Sequence, residues 1–228
     1  MCTVTYVPLS NGFCITSNRD EQVARPAAIP PKEYEIASHK ITFPKDPKAG
    51  GTWFAQSDKA TIVLLNGAQE KHIPKPNYRK SRGLIVLDLI ATPKILNAWQ
   101  KIDLQGIEPF TIVAYEADAL YQLQWNETDK RSLKLDHTKA HIWSSSTLYS
   151  KAIREQRAQW FIDFLKENPT LSAAKLLYFH QFTEKENNEF GLQINRNDFL
   201  KTVSITQAVC VTGTTNLNYI DLLANEQD

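Results

Sequence analysis

Near the start of the chain, two runs of strand-like residues flank a turn signal. Thr3 to Pro8 is β-branched and aromatic, Ser10-Asn11-Gly12 breaks the run, and Phe13 to Ser17 resumes it. This predicts an N-terminal β-hairpin. Arg19 and Asp20 then fall just past the end of its second strand. Residues 25–32 hold Pro26, Pro30 and Pro31 and read as loop. Ile36 to Phe43 reads as a short strand. Trp53 to Gln56 and Thr61 to Leu65 read as strands around an Asp58-Lys59 turn. Lys71 to Arg79, with Pro74 and Pro76, excludes regular structure.

Helical spacing begins after Ser81, a plausible cap. Leu84, Leu87 and Ile90, then Ile95 and Trp99, form a helix pair broken at Pro93. Strand patterning returns in Phe110–Tyr115, Leu120–Trp125, Ser132–Leu135 and Ala140–Ser144. The clearest helix runs from about Leu148 to Asn168, where Ile153, Trp160, Phe161, Phe164 and Leu165 share a face with one polar exception, Arg157. A second helix spans Ser172 to Phe182, and two strands close the chain. Adjacent runs of strands with segregated helices predict an α+β fold with mainly antiparallel sheets, in one domain over residues 1–228. Two sheets packed face to face with helices outside fit that order.

A length of 228 residues and 42% hydrophobic content allow a sizeable core. The net charge of +1 gives no electrostatic case for nucleic acid or an anionic membrane surface. Three cysteines, Cys2, Cys14 and Cys210, do not suit a disulfide framework and fit a reducing compartment. The N-terminus lacks the charge and apolar run of a signal peptide, and no apolar run reaches the length of about 18 residues needed to span a membrane. A cytoplasmic protein is expected. His137 and His141 are four apart, but in a strand-like stretch with no further ligand, so no metal and no cofactor are expected.

The chemistry centres on Cys2. If Met1 is trimmed, Cys2 carries a thiol and a free α-amine, so nucleophile and base come from one residue. The competing reading is a strand cysteine that packs as a small hydrophobe. Arg19 would favour a thiolate and orient a substrate carboxylate, or form a surface ion pair with Asp20 or Glu21. Asp20 would hold the α-ammonium group, or serve as a turn or cap residue. Asn66 would donate to a developing oxyanion, or form a type I′ turn with Gly67. Gly50-Gly51 permits a close backbone approach to a ligand, and Trp53 lines a pocket or fills the core.

Met1-Cys2, Asn18-Arg19-Asp20-Glu21 with Arg25-Pro26, Gly50-Gly51-Thr52-Trp53, a strand ending in Asn66, and Arg82-Gly83 occur in that order. Together they resemble the NRDE family, whose eukaryotic representative is called transport and Golgi organisation protein two. That family in turn resembles the N-terminal-nucleophile hydrolases of the choloylglycine hydrolase and penicillin acylase group. The resemblance implies a four-layer αββα sandwich and cleavage of non-peptide carbon–nitrogen amide bonds in a small molecule. It implies Cys2 as nucleophile, Arg19 and Asp20 as its organisers and Asn66 as oxyanion donor. Asn18, Gly51, Trp53 and Ser145 would line the substrate site. Ser145 stands where the hydrolases carry a second asparagine, and Lys201 is the nearest residue to their distal arginine. A non-catalytic small-ligand carrier using the same pocket is the alternative.

Overall fold

The computed structural model describes residues 3–224. In chain order the elements are β1 Thr3–Leu9, β2 Gly12–Gln22, β3 Ile29–Ile36, β4 His39–Lys45, β5 Phe54–Gln56, β6 Ala60–Asn66, α1 Arg82–Ile90 and α2 Ile95–Lys101. There follow β7 Phe110–Glu116, β8 Ala119–Trp125, β9 Lys130–Leu135, β10 His141–Ser144, α3 Lys151–Glu167, α4 Ala173–Phe182, β11 Asn195–Arg196, β12 Leu200–Val211 and β13 Thr214–Asp221. The fold is α+β, with two antiparallel sheets and four helices among the described residues.

The chain divides into two compact units. The first joins the chain up to Arg25 with everything from Thr138 onward. Its sheet runs β10-β1-β2-β12-β11, with β13 also paired to β12. On one face, Val7 and Cys14 pack with Phe161 of α3 and with Leu176 and Phe179 of α4. Alternation along β2 therefore sends Cys14, Thr16, Asn18 and Asp20 to the helix side, and Ile15, Ser17 and Arg19 to the other. Ser150 and Ser172 cap the two helices, each accepting a backbone N–H from the first turn.

The second unit is Pro26–His137. Its sheet, β3-β4-β5-β6-β7-β8-β9, carries α1 and α2. Ser81 caps α1 as the sequence predicts. Lys130 closes the other end of α2, donating to the carbonyls of Trp99, Gln100 and Ile102.

Three local expectations are corrected. The stretch with Pro30 and Pro31 is strand β3, not loop; it lies at the sheet edge and shifts register between Ile29 and Lys32, where missing N–H donors cost no ladder bonds. Ile36–Phe43 is not one strand: Ala37 and Ser38, at φ 48 and 65, make a two-residue turn between Ile36 and His39. Arg19 and Asp20 do not follow β2 but lie inside it, because β2 continues to Gln22 along β12.

Candidate active site

Thr3 is the first described residue, and it lies between two of the predicted pieces. It pairs with Asn18 on β2 and with Ser144 on β10. The chain neighbours of those partners are Arg19 and Ser145. Cys2 itself lies outside the described residues.

Asn18 is wholly buried on the helix side. Its amide donates to the carbonyls of His180 (3.1 Å) and Leu192 (2.6 Å), and its oxygen accepts from His180 Nδ1 at 2.6 Å. With the proton thus on Nδ1, His180 Nε2 accepts from the Thr5 hydroxyl at 2.8 Å. Burial, helped by the charge of Arg157, pushes the His180 pKa down to about 3, so the ring is neutral. Asn18, expected at the substrate site, ties β2 to α4 and to the segment after it.

Asp20 is also buried, and its two oxygens accept from different elements. Tyr149 donates to one at 2.8 Å and Thr202 to the other at 2.5 Å. Arg157 is fully buried, with no carboxylate in ion-pair range among the described residues. It donates to Thr3 Oγ1 (2.6 Å) and to the carbonyls of Phe190 and Gly191, and stacks 3.6 Å over the Tyr149 ring. A chain of contacts thus runs Thr3–Arg157–Tyr149–Asp20.

Arg19 faces the other way and is 4% exposed. Its guanidinium meets Glu21 at 3.4 Å. A register shift between Thr202 and Ser204 pairs Thr202 with Asp20 but Ser204 with Arg19. The bulge breaks strict alternation, so β12 supplies one hydroxyl to each face of β2. Ser204 in turn pairs with Asp221 on β13, giving an Arg19–Ser204–Asp221 row. The next row holds Ser17, Thr206 and Tyr219. Burial pushes the Tyr219 phenol up; the nearby Ser204 hydroxyl opposes this, Asp221 adds to it, and Arg19 opposes it. Ser204 and Thr206 are buried. Ser145, just after β10, is buried and shares a 2.8 Å contact with the Thr147 hydroxyl.

The remaining predicted residues belong to the second unit. Asn66 ends β6 opposite Phe110 of β7. Gly67 follows at φ 81, but the chain continues into a long connection, so Asn66-Gly67 is not a hairpin turn. Gly51 makes a close backbone approach to the start of α1. A Cβ there would sit 2.4 Å from the Gly83 carbonyl carbon at the start of α1. Thr52 N donates to Gly83 O at 3.2 Å. The Gly-Gly-Thr-Trp and Arg-Gly pieces are thus two sides of one backbone contact. Trp53 is 3% exposed, as a core residue would be.

Sequence reasoning missed Tyr149, Arg157, His180, Thr202 and Ser204. Arg157 alone left a signal, as a cation on an apolar helical face.

A family profile described as Transport and Golgi organisation 2 matches residues 1–213. The chain belongs to that family. The family thus spans both units. No curated protein matches the sequence. Among solved structures, the Gly-1 mutant of Anbu from Hyphomicrobium sp. strain MC1 is similar at 10% identity, covering 97% of this chain and 89% of that one, with a TM-score of 0.42. Anbu from the same strain in another crystal form aligns at 8% identity over 96% and 88%, with a TM-score of 0.38. These likenesses are too distant to bear on the chemistry. No helix among the described residues is long and apolar enough to cross a membrane, and no group of three or more metal-ligating side chains occurs among them.

Proposed function

We propose that this member of the Transport and Golgi organisation 2 family is an N-terminal cysteine amidohydrolase or acyltransferase acting on a small non-peptide amide or acyl compound. The observation that carries the reading is the pairing of Thr3 with Asn18 and Ser144. It puts the residue after the candidate nucleophile between β2, which bears Arg19 and Asp20, and β10, which Ser145 follows. The buried Asp20 and Arg157 contacts support it, since they hold this corner of the sheet rigid.

In the proposed reaction the freed α-amine takes the thiol proton as sulfur attacks the acyl carbon. A C–S bond forms, the C–N bond breaks, and the amine leaves with that proton. Water, or an acceptor amine, then cleaves the thioester. Arg19 favours the thiolate and Asp20 orients the α-ammonium group. The reading treats the whole chain as one catalytic domain. A cytoplasmic site of action is part of the proposal, supported by the unpaired Cys14 and Cys210.

Ser145, at the usual asparagine position, favours a second reading in which the protein binds the same small molecule without turning it over. Intact mass spectrometry decides between them. Loss of Met1, together with an acyl adduct on Cys2 after incubation with a panel of amides and lactams that Cys2→Ala cannot form, is the expected result. Amide cleavage that persists unchanged in Cys2→Ala would overturn the nucleophile, and ligand retention without any adduct would establish the carrier.

A further inference from the structure

Arg157 breaks the pattern of the helix that carries it. Phe161, one turn further along α3, packs into the apolar core with Leu176 and Phe179, and Arg157 is itself fully buried. A buried cation with no carboxylate beside it costs stability, and an apolar side chain of similar size would pack at least as well. Exceptions of this kind gather at functional sites.

The cation reaches the proposed catalytic corner by two arms. In the first, Nη1 donates to Thr3 Oγ1 at 2.6 Å. Arginine only donates, so the Thr3 hydroxyl proton is left for Ser144 Oγ, 3.4 Å away. Thr3 is thereby pinned to α3 and to β10, and with it the peptide bond that joins it to Cys2. Nε and Nη2 donate to the carbonyls of Phe190 and Gly191, which fix the plane of the guanidinium.

The second arm runs through Tyr149. Two guanidinium groups lie over its ring, Arg157 at 3.6 Å and Arg196 at 5.4 Å. Cations in this position polarise the phenol and make its O–H a stronger donor. That O–H goes to one oxygen of Asp20 at 2.8 Å, and Thr202 donates to the other at 2.5 Å. Both bonds spread the negative charge of Asp20. The other ionisable groups nearby are already matched or uncharged. Arg196 has Glu189 at 3.7 Å, Arg19 and Glu21 face each other at 3.4 Å, and His180 is neutral. An α-amine that must take a proton from the thiol has to be neutral first. A carboxylate with its charge spread in this way orients the amine without holding it as ammonium.

We infer that Arg157 is a positioning residue of the proposed reaction, fixing Cys2 through Thr3 and tuning its α-amine through Tyr149 and Asp20. The inference rests on the Cys2 reading above and adds to it a residue that acts through others.

The test follows alkylation of Cys2 by iodoacetamide against pH, read by peptide mapping of the full-length protein. Tyr149→Phe keeps the ring and removes one donor to Asp20, which leaves more negative charge to favour the ammonium and oppose the thiolate. The Cys2 midpoint should rise by at least about half a pH unit, with labelling below it slowed roughly three-fold and Cys14 still unlabelled. Arg157→Met also removes the cation and should raise the midpoint further. Arg157→Lys keeps the charge and should recover part of that shift. An unmoved midpoint in Tyr149→Phe or Arg157→Met, in protein whose wild type loses Met1 and is acylated at Cys2, overturns the inference and leaves the hydrolase reading standing. A shift in Tyr149→Phe that comes only with labelling of Cys14 marks an opened core, and the inference falls. A wild type that keeps Met1 or takes no acyl group on Cys2 overturns the hydrolase reading itself, and the inference falls with it.

Discussion

The guanidinium of Arg157 lies 3.6 Å over the ring of Tyr149, and that ring's hydroxyl donates to Asp20. A buried cation and a buried carboxylate are thus linked through one aromatic side chain. The ring screens the cation while its polar end serves the anion.

Removing the hydroxyl should expose that link. Tyr149→Phe keeps the stacking surface and deletes one hydrogen bond to a buried carboxylate, so it should cost about 1.5–3 kcal/mol of stability. Arg157→Met should cost more than Tyr149→Phe, since it also frees Thr3 and two carbonyls. A double-mutant cycle in denaturant should show that the two changes are not additive. Additive effects would mean that the ring carries no coupling.

His180 makes stability acid-sensitive. Its folded pKa, about 3, lies below the ordinary imidazole value. Between those values the unfolded chain binds a proton that the native ring refuses. Stability should therefore be flat in this contribution above about pH 6.5, then fall as pH drops toward 3, by at most about 1.4 kcal/mol per unit. Urea unfolding of wild type and His180→Gln at pH 7, 6, 5 and 4 measures it. The variant should start less stable and show a shallower acid slope.

The two adjacent glycines should respond differently to alanine. Gly50 sits at φ 72 with open space around a built Cβ, so Gly50→Ala should cost only about 1 kcal/mol of backbone strain. Gly51→Ala drives a methyl into the backbone of Gly83 and Leu84, and should cost at least the 1–3 kcal/mol typical of overpacking. Thermal unfolding of the two variants side by side checks the order. A smaller loss for Gly51→Ala would mean that the α1 contact is loose.

Cys14 should be chemically silent. Burial pushes its thiol up to about 12, against a weaker opposing contact from Thr16. Native protein treated with iodoacetamide near pH 8 should carry no adduct at Cys14 by peptide mapping, whereas half-buried Cys210 should label sooner. Labelling of Cys14 without denaturant would show that the helix-side core opens readily.

Much of the fold could be read from the sequence because its signals are local. Ser81 precedes an apolar helical run and caps α1 as expected, and the helices expected from about Leu148 and from Ser172 begin at Lys151 and Ala173, behind the caps Ser150 and Ser172. What failed was non-local. Nothing in Pro30-Pro31 says that the neighbouring edge is vacant, and nothing in Asn18-Arg19-Asp20-Glu21 says that β12 will cover it. Alternation alone sends Arg19 and Asp20 to opposite faces, but the bulge that sets Thr202 beside Asp20 and Ser204 beside Arg19 comes from a strand far along the chain. No local pattern marks His180, because its partners Thr5 and Asn18 lie 175 and 162 positions away.

The first unit is stitched from both ends of the chain, and that has a consequence for its synthesis. Asp20 and Thr202 are 182 positions apart yet share a hydrogen bond. At a translation speed of about 5–20 residues per second, the opening hairpin waits roughly 10–40 s for the strand that covers it. During that interval the intervening segment is already emerging, while the polar edge of β2 stays unmatched. A cell making this protein must keep the nascent hairpin from pairing elsewhere until β12 has been synthesised.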